Sequence, residues 1–420
     1  MEIPNPLKRI TGTLRREFSF IRGNYAVLIT SWILIDFAAE LPATYYALYV
    51  MELGATETIL GMIGLFSFLA LASMQFPGGY LADKFGRKWI ISTMTFGVGL
   101  SYIFYALAPT WHFILIGAVI MLICNSTYQP ALGAMIADSL PPERRGMGIG
   151  LITLIAGAST TPGPLAAWWL YTNFGLVNGM RIGYGVVVGL FMVAAFLRLF
   201  RLKETIQNAH KPSLSELFSS YPTALKESFL VWKRVPKAAF YLFLSSSVIT
   251  FGFATVQLFF ALYAVRVLMI DEAVWPMVLM ALFVTMLVLA VPMGKMADKS
   301  NRKVLILVAY ALFGSSMALF VYGDLVKVFL SLALVGVGQT MMNTAFGALQ
   351  ADLTPKEERG KVNGFTNFAN CILMAVGSIV GGVLYERVSN QLPFYVAMLL
   401  VVPSIVLTLL FVKEPEKREQ

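Results

Sequence analysis

Charge is what this sequence lacks. Asp, Glu, Lys and Arg make up 13% of its 420 residues, about half the share of a soluble domain. A chain of this length cannot build a water-facing surface from so little charge, which excludes a soluble globular fold. Histidine is nearly absent, with only His112 and His210. Cysteine is too: Cys124 and Cys371 each lie inside an apolar run. That scarcity leaves no disulfide framework, no metal-ligand spacing and no Cys-x-x-Cys pair. The two thiols read as small buried hydrophobes. A phosphate-cradling Gly-Lys-Ser loop is also missing, so the chain reads as no enzyme, and neither a metal nor a cofactor is expected. No cleavable leader is expected either: Lys8, Arg9, Arg15 and Arg16 precede the first long apolar run without a small-residue cleavage site.

What is there instead is apolar length. Hydrophobic residues make up 58% of the chain, and its mean hydropathy is +0.73. A spanning helix needs about 20 predominantly apolar residues, and twelve such runs are present. They cover Tyr25–Val50, Glu57–Ala82, Trp89–Ala108, His112–Ala137, Met147–Tyr171 and Arg181–Leu202, then Ala238–Val265, Ala273–Ala297, Val304–Tyr322, Val326–Ala351, Val362–Tyr385 and Pro393–Val412. The expected fold is an all-α membrane protein with twelve transmembrane helices in two six-helix bundles.

The net charge of +9 does not point to nucleic acid, because the basic residues sit in short segments between apolar runs. Of 32 Lys and Arg, only Arg181, Arg266, Lys327 and Arg387 fall in loops on one side. The positive-inside bias therefore predicts both termini in the cytoplasm of a multi-pass cell-membrane protein. His112 and His210 then lie on opposite sides.

The expected units are an amphipathic cytoplasmic segment (1–24), a bundle (25–202), a cytoplasmic linker (203–237), a second bundle (238–412) and a tail (413–420). Leu7, Ile10, Leu14, Phe18 and Ile21 recur at helical spacing in the first, with Arg15, Arg16 and Arg22 placed to meet lipid headgroups. In the linker, Pro212 and Ser213-Leu214-Ser215-Glu216 form a capping box that predicts a helix.

The two halves repeat at a spacing of about 214 residues. Ala47-Leu48-Tyr49 returns as Ala261-Leu262-Tyr263. Gly-Tyr-Leu-Ala-Asp-Lys-Phe-Gly-Arg-Lys, from Gly79 to Lys88, returns as Gly-Lys-Met-Ala-Asp-Lys-Ser-Asn-Arg-Lys, from Gly294 to Lys303. Gly133-Ala134 and Ala137-Asp138 match Gly347-Ala348 and Ala351-Asp352, and Arg145-Gly146 matches Arg359-Gly360. Chance hydropathy does not keep polar loops in register at four places. Six helices per half is an even number, so the repeats are parallel, with a site expected near the midplane between them.

Here the chain resembles the major facilitator superfamily along nearly its whole length. Gly79, Asp83, Gly86, Arg87 and Lys88 match that family's loop motif between helices 2 and 3, and the second half carries a copy. Glycines 79 and 294 permit close helix approach. Gly86 and its counterpart Asn301 both tolerate a left-handed turn. Asp83 and Asp298 are placed to accept from Arg87 and Arg302. The resemblance implies a cytoplasmic gate that latches in the outward-facing state, which is the resting state expected here. Asp138 with Arg145, and Asp352 with Arg359, would extend the gate, unless they are merely solvated loop charges.

With boundary charges set aside, Asp36 and Glu40 on helix 1 are the only ionisable residues expected deep in the membrane. They share a face at i, i+4, and no Lys, Arg or His is expected at their depth. Two carboxylates in a low dielectric should not both ionise, which suits proton coupling, substrate binding or both. The bland reading is a protonated pair hydrogen-bonded to neighbouring helices. Thr250 and Ala254 occupy the matching positions of helix 7, so the acids belong to one half.

Asn125 and Gln129 on helix 4, and Gln339 and Asn343 on helix 10, are amides at matching positions that would line a cavity or bond neighbouring helices. Tyr45, Tyr46 and Gln257 are weaker cavity candidates, and Asn367 and Asn370 weaker still. Helix 5 should kink at Gly163-Pro164. Its Gly150, Ser159, Gly163, Pro164 and Leu165-Ala166-Ala167 are similar to an eroded antiporter motif of the drug-exporting branches, which have Gly at 159, 166 and 167. Helix 4 reads Gly117-Ala118-Val119 where those branches place an embedded Arg. Both departures point away from the exporting branches; the leading expectation from the resemblance is still a monomeric, proton-coupled exporter of a small cationic or amphipathic molecule. Two alternatives stay open: a proton-coupled uptake symporter for a polar metabolite, and a membrane nutrient receptor without flux.

Overall fold

A computed structural model gives the architecture. The structure describes residues 18, 20–75, 77–78, 81, 86–206, 226 and 229–414, without the side chains of 298 and 299. Within that set the chain is helical and contains no strand. The amphipathic segment expected near the N-terminus and the capping box at Ser213 lie outside the described residues, apart from its edge at Phe18 and from Phe20 onward.

The twelve crossings follow in order. Helix α1 runs over Gly23–Ala43, breaks, and resumes as Tyr46–Glu52. Pro42 sits at the break, where its missing N–H leaves one helical bond unmade. After the turn at Gly54, α2 starts with Thr56 accepting from the Ile59 N–H and runs over Glu57–Ser73. Then come α3 (Arg87–Ala106) and α4 (Trp111–Ser139). Helix α5 runs over Arg145–Thr160 and resumes at Gly163, with Pro162 and Pro164 at the join.

A continuous helical stretch from Pro142 to Arg201 would span about 90 Å, three times the hydrocarbon core. It does not, because Gly175 takes φ 73° and ψ 176° and reverses the chain. Helix α6 is therefore 176–201, starting about five residues before the apolar run implied. Past the linker, α7 (Lys237–Val256) breaks, resumes at Phe260–Leu262 and ends in a π-helical turn, Tyr263–Val267. It is followed by α8 (Trp275–Lys299), α9 (Arg302–Val321), α10 (Leu325–Leu353), α11 (Arg359–Arg387) and α12 (Leu392–Phe411).

Within the first half α1 packs on α6, and α3 packs on both α4 and α6. Within the second, α7 packs on α11 and α12, and α9 on α10 and α12. The halves meet along α2 and α11, with a slighter contact between α5 and α8.

The repeat is visible in individual bonds. Tyr49 donates to the Tyr105 carbonyl at 2.9 Å, and Tyr263 donates to the Val321 carbonyl at 3.1 Å. Each ties the end of the first helix of a half to the end of the third. The shared Ala-Leu-Tyr sequence is thus a structural tether. A second repeated device follows each bundle. The Glu204 carboxylate accepts from the Arg87 and Lys88 N–H groups at the start of α3, and Glu414 accepts from the Lys303 N–H at the start of α9. A carboxylate belongs there, against the positive end of a helix dipole. Gly86 takes φ 93° as the N-cap of α3, as its sequence suggests. Its counterpart Asn301 does not: at φ −70° it caps α9 by accepting from the Val304 N–H.

Candidate functional site

The side carrying the Arg-rich loops is called the basic face below. At the opposite face the halves are joined. Tyr45 donates to the Glu272 carbonyl at 2.8 Å, and the Trp275 indole to the Thr44 carbonyl at 3.0 Å. The Thr58 N–H reaches Glu386 at 2.7 Å, and Arg266 lies 3.8 Å from Glu57. Buried apolar residues of both halves form one continuous cluster here, whereas near the basic face the second half has a cluster of its own. Gly133 and Gly347, near the basic ends of α4 and α10, have open space where a side chain would stand. Among the described residues the halves are thus joined at the opposite face and apart at the basic face. The joint among these residues lies at the end opposite the loop motif, so the outward-facing state expected from that motif is not the one adopted.

Between the halves lies a cavity of about 700 Å³, within the usual range for small-molecule sites. Helices α1, α2, α4, α7, α8 and α10 contribute apolar wall such as Phe68, Met121, Phe253 and Met286. Polar groups are few. Tyr46, Gln257 and Gln339 are there, as is a tyrosine cluster missed in the sequence: Tyr102, Tyr105 and Tyr184, with ring centroids 4.9–6.0 Å apart. Among the described residues the wall holds no Asp, Glu, Lys, Arg or His. The other candidates lie elsewhere. Tyr45, 1% exposed, belongs to the closed joint and stacks on Tyr171. Asn343 is exposed beside the cavity and accepts from Gln339 at 3.3 Å.

A second pocket of about 140 Å³ sits inside the first half, walled by α1, α3, α4 and α6. Asp36, Asn125 and Gln129 line it. Ala39, Tyr102 and Met121 line both spaces, so the side pocket adjoins the central cavity. One oxygen of Asp36 is buried without a hydrogen-bond partner among the described residues. Glu40 lines neither space. It packs against Gly163, where a Cβ would fall 2.9 Å from that of Glu40. The Gly163-Pro164 join of α5 thus lets α1 and α5 approach closely at an acid.

The expectation that no cation shares this depth is overturned by Arg198. It lies one turn before the basic end of α6, where it counted as a boundary charge, yet it is 1% exposed and lines the side pocket. Its guanidinium donates to Ser31 at 2.9 Å and to Thr95 at 2.7 Å, and stands 5.7 Å from the Tyr128 ring centroid. The long side chain reaches back toward the bilayer interior. The available signal was an Arg inside the apolar run Ala-Ala-Phe-Leu-Arg-Leu-Phe.

At the basic face, Arg87 pairs with Asp138 and Arg302 with Asp352. Both pairs stay within one half. Gly79 and Asp83 lie outside the described residues, as does the side chain of Asp298. The proposed links of Asp138 to Arg145 and of Asp352 to Arg359 do not form. Arg145 donates instead to the Ala137 carbonyl, and Arg359 to those of Ala351 and Thr354. Each aspartate faces the arginine that opens the third helix of its half, across the loop mouth. Among the described residues Lys88 engages through its backbone N–H, which binds Glu204.

Comparison with known proteins agrees with this geometry. The model of the Major Facilitator Superfamily matches residues 27–284 and 242–420. An uncharacterized MFS-type transporter of Methanocaldococcus jannaschii is 25% identical over 86% of this chain and 92% of its own. The multidrug resistance protein MdtG of Escherichia coli is 28% identical over 49% of this chain, half of its own length. Among solved structures, a peptide transporter POT in complex with sulfate superposes with a TM-score of 0.70 at 14% identity, covering 93% of each chain. A bacterial homologue of the human lysosomal transporter Spinster, inward-facing and unoccupied, gives 0.67 at 15% identity over 92% of this chain and 94% of its own. With two pseudo-symmetric six-helix bundles around one cavity, this chain belongs to the Major Facilitator Superfamily and is a multi-pass membrane transporter, not an enzyme.

Proposed function

We propose that the protein is a monomeric, proton-coupled exporter of small amphipathic molecules in the cell membrane, with the basic face and both termini in the cytoplasm. The central cavity carries this reading. Its wall is apolar and aromatic, with a few hydroxyls and amides, and that surface suits a molecule held by shape and apolar contact. A cation held by a carboxylate is less suited, because the acids lie outside the cavity wall. Asp36 in the adjoining pocket serves as the proton site, with Glu40 beside α5. In this orientation the structure is inward-facing, ready to load from the cytoplasm. The name of the E. coli relative, a multidrug resistance protein, supports the export direction.

The test is flux in proteoliposomes with an acidic lumen and inside-out orientation, using ethidium as a cationic probe and chloramphenicol as a neutral one. Native protein should accumulate the neutral probe against its gradient. Asp36→Asn should equilibrate it without accumulation, and Glu40→Gln should weaken the drive. Unchanged accumulation in both variants would end the coupling role of the acids. Movement of probe with the proton, rather than against it, would replace export by uptake.

A further inference from the structure

We propose that Arg198 is the resident counter-ion of Asp36, so that proton exchange at Asp36 makes and breaks an ion pair inside the first half, beside the substrate cavity rather than in it. This rests on the reading of Asp36 as the proton site. Four observations carry it. Both residues line one small pocket. Arg198 is almost wholly buried, and a buried guanidinium demands a negative partner or a full set of acceptors. Its side-chain partners are neutral, the hydroxyls of Ser31, Thr95 and Tyr128. One Asp36 oxygen has no partner among the described residues. The guanidinium thus has hydrogen bonds but no negative partner, and the open acceptor of Asp36 is complementary to its charge.

The remaining neighbours do not supply the charge. Helix α1 offers Glu40, which packs on α5 outside the pocket. Tyr102 of α3 and Tyr128 of α4 are neutral phenols, and Asn125 and Gln129 are amides. Asp36 and Arg198 are therefore the only carboxylate and the only cation lining this pocket among the described residues.

The pair spans α1 and α6, while Ser31, Thr95 and Tyr128 hold the guanidinium from α1, α3 and α4. Ionised Asp36 draws α1 toward α6 through Arg198, and protonated Asp36 lets go. Tyr102 and Met121 stand between this pocket and the cavity, so the change reaches the substrate through shared wall. Arg198 is thus a positioning residue, and a substrate needs no charge of its own to be coupled.

The experiment needs no substrate. The carboxylic C=O infrared band that Asp36→Asn removes is followed against pH in purified full-length native, Arg198→Lys and Arg198→Met proteins. A neighbouring cation shifts a carboxylate titration by about 1–3 units. Loss of the band should therefore move to higher pH by that amount in Arg198→Met and return toward native in Arg198→Lys. An unmoved midpoint in Arg198→Met overturns the inference while leaving Asp36 as the proton site. If Asp36→Asn removes no titrating band, the proton-site reading falls and this inference with it. Should Arg198→Met fail to fold, Asp36→Asn/Arg198→Met decides: removing both partners of a buried pair restores folding lost by removing one, and a double variant as unstable as the single overturns the pairing.

Discussion

Two tyrosines show how a single residue carries the repeat. Tyr49 and Tyr263 are both fully buried, and each hydroxyl meets a carbonyl at the end of the third helix of its half. Removing the donor takes a hydrogen bond from a buried helix-end carbonyl, so Tyr49→Phe and Tyr263→Phe should each cost about 1 kcal/mol. The two sites lie in different halves and share no partner, so unfolding in SDS titrations should show the costs adding. Strong non-additivity would mean that the tethers belong to one coupled unit. The repeat of Ala-Leu-Tyr could be read in the sequence, but its purpose could not, because a hydroxyl's partner depends on which helix end lies opposite. Arg198 fails for a related reason. Position along a helix tells how far an α-carbon sits from the boundary, but an arginine side chain is long enough to end a full turn away.

At the scale of helices, apolar runs locate the crossings because hydropathy measures what lipid requires. Interruptions inside a run escape that measure. The break of α1 between Ala43 and Tyr46 lies within continuous apolar sequence, and only Pro42 hints at it. The apolar run begins only at Arg181 because 176–180 carries Asn178 and Gly179, which lower its hydropathy although the helix includes them. Packing between helices gives a sharper prediction. A Cβ at Gly61 would overlap the Ser378 carbonyl, and one at Gly382 would fall 2.6 Å from the Glu57 carbonyl; both contacts join the halves. A Cβ at Gly381 would overlap the Thr255 carbonyl, inside the second half. Clashes between halves are relieved if the halves rock apart, but a clash within a half is not. Gly381→Ala should therefore lose about 1–3 kcal/mol of stability through overpacking. Gly61→Ala and Gly382→Ala should instead fold normally and favour the state open at the opposite face. Equal destabilisation by all three in a thermal melt would refute the distinction.

For the molecule as a whole, the halves are joined at one end and apart at the other. The loop motifs revealed two similar halves and a central site, but the outward-facing state they suggested is not the one adopted. That balance is set by a handful of contacts across the halves, including Trp275 to Thr44 and Tyr45 to Glu272, which have no counterpart pattern along the chain. Single cysteines replacing Gly133 or Gly347, in protein with Cys124 and Cys371 changed to Ser, should react quickly with a water-soluble maleimide. Adding Gly382→Ala should slow that reaction several-fold by shifting the population, and a shift of 1.4 kcal/mol would slow it about tenfold. Unchanged labelling would show that the basic face stays open in both states. The uncharged wall of the central cavity also has an electrical consequence. An exchange of one proton for one neutral molecule moves a net charge across the membrane, and each charge draws about 2.3 kcal/mol from every 100 mV. That is roughly a fifty-fold concentration ratio, so an exporter working as proposed would still be powered in a cell holding its voltage but no pH difference.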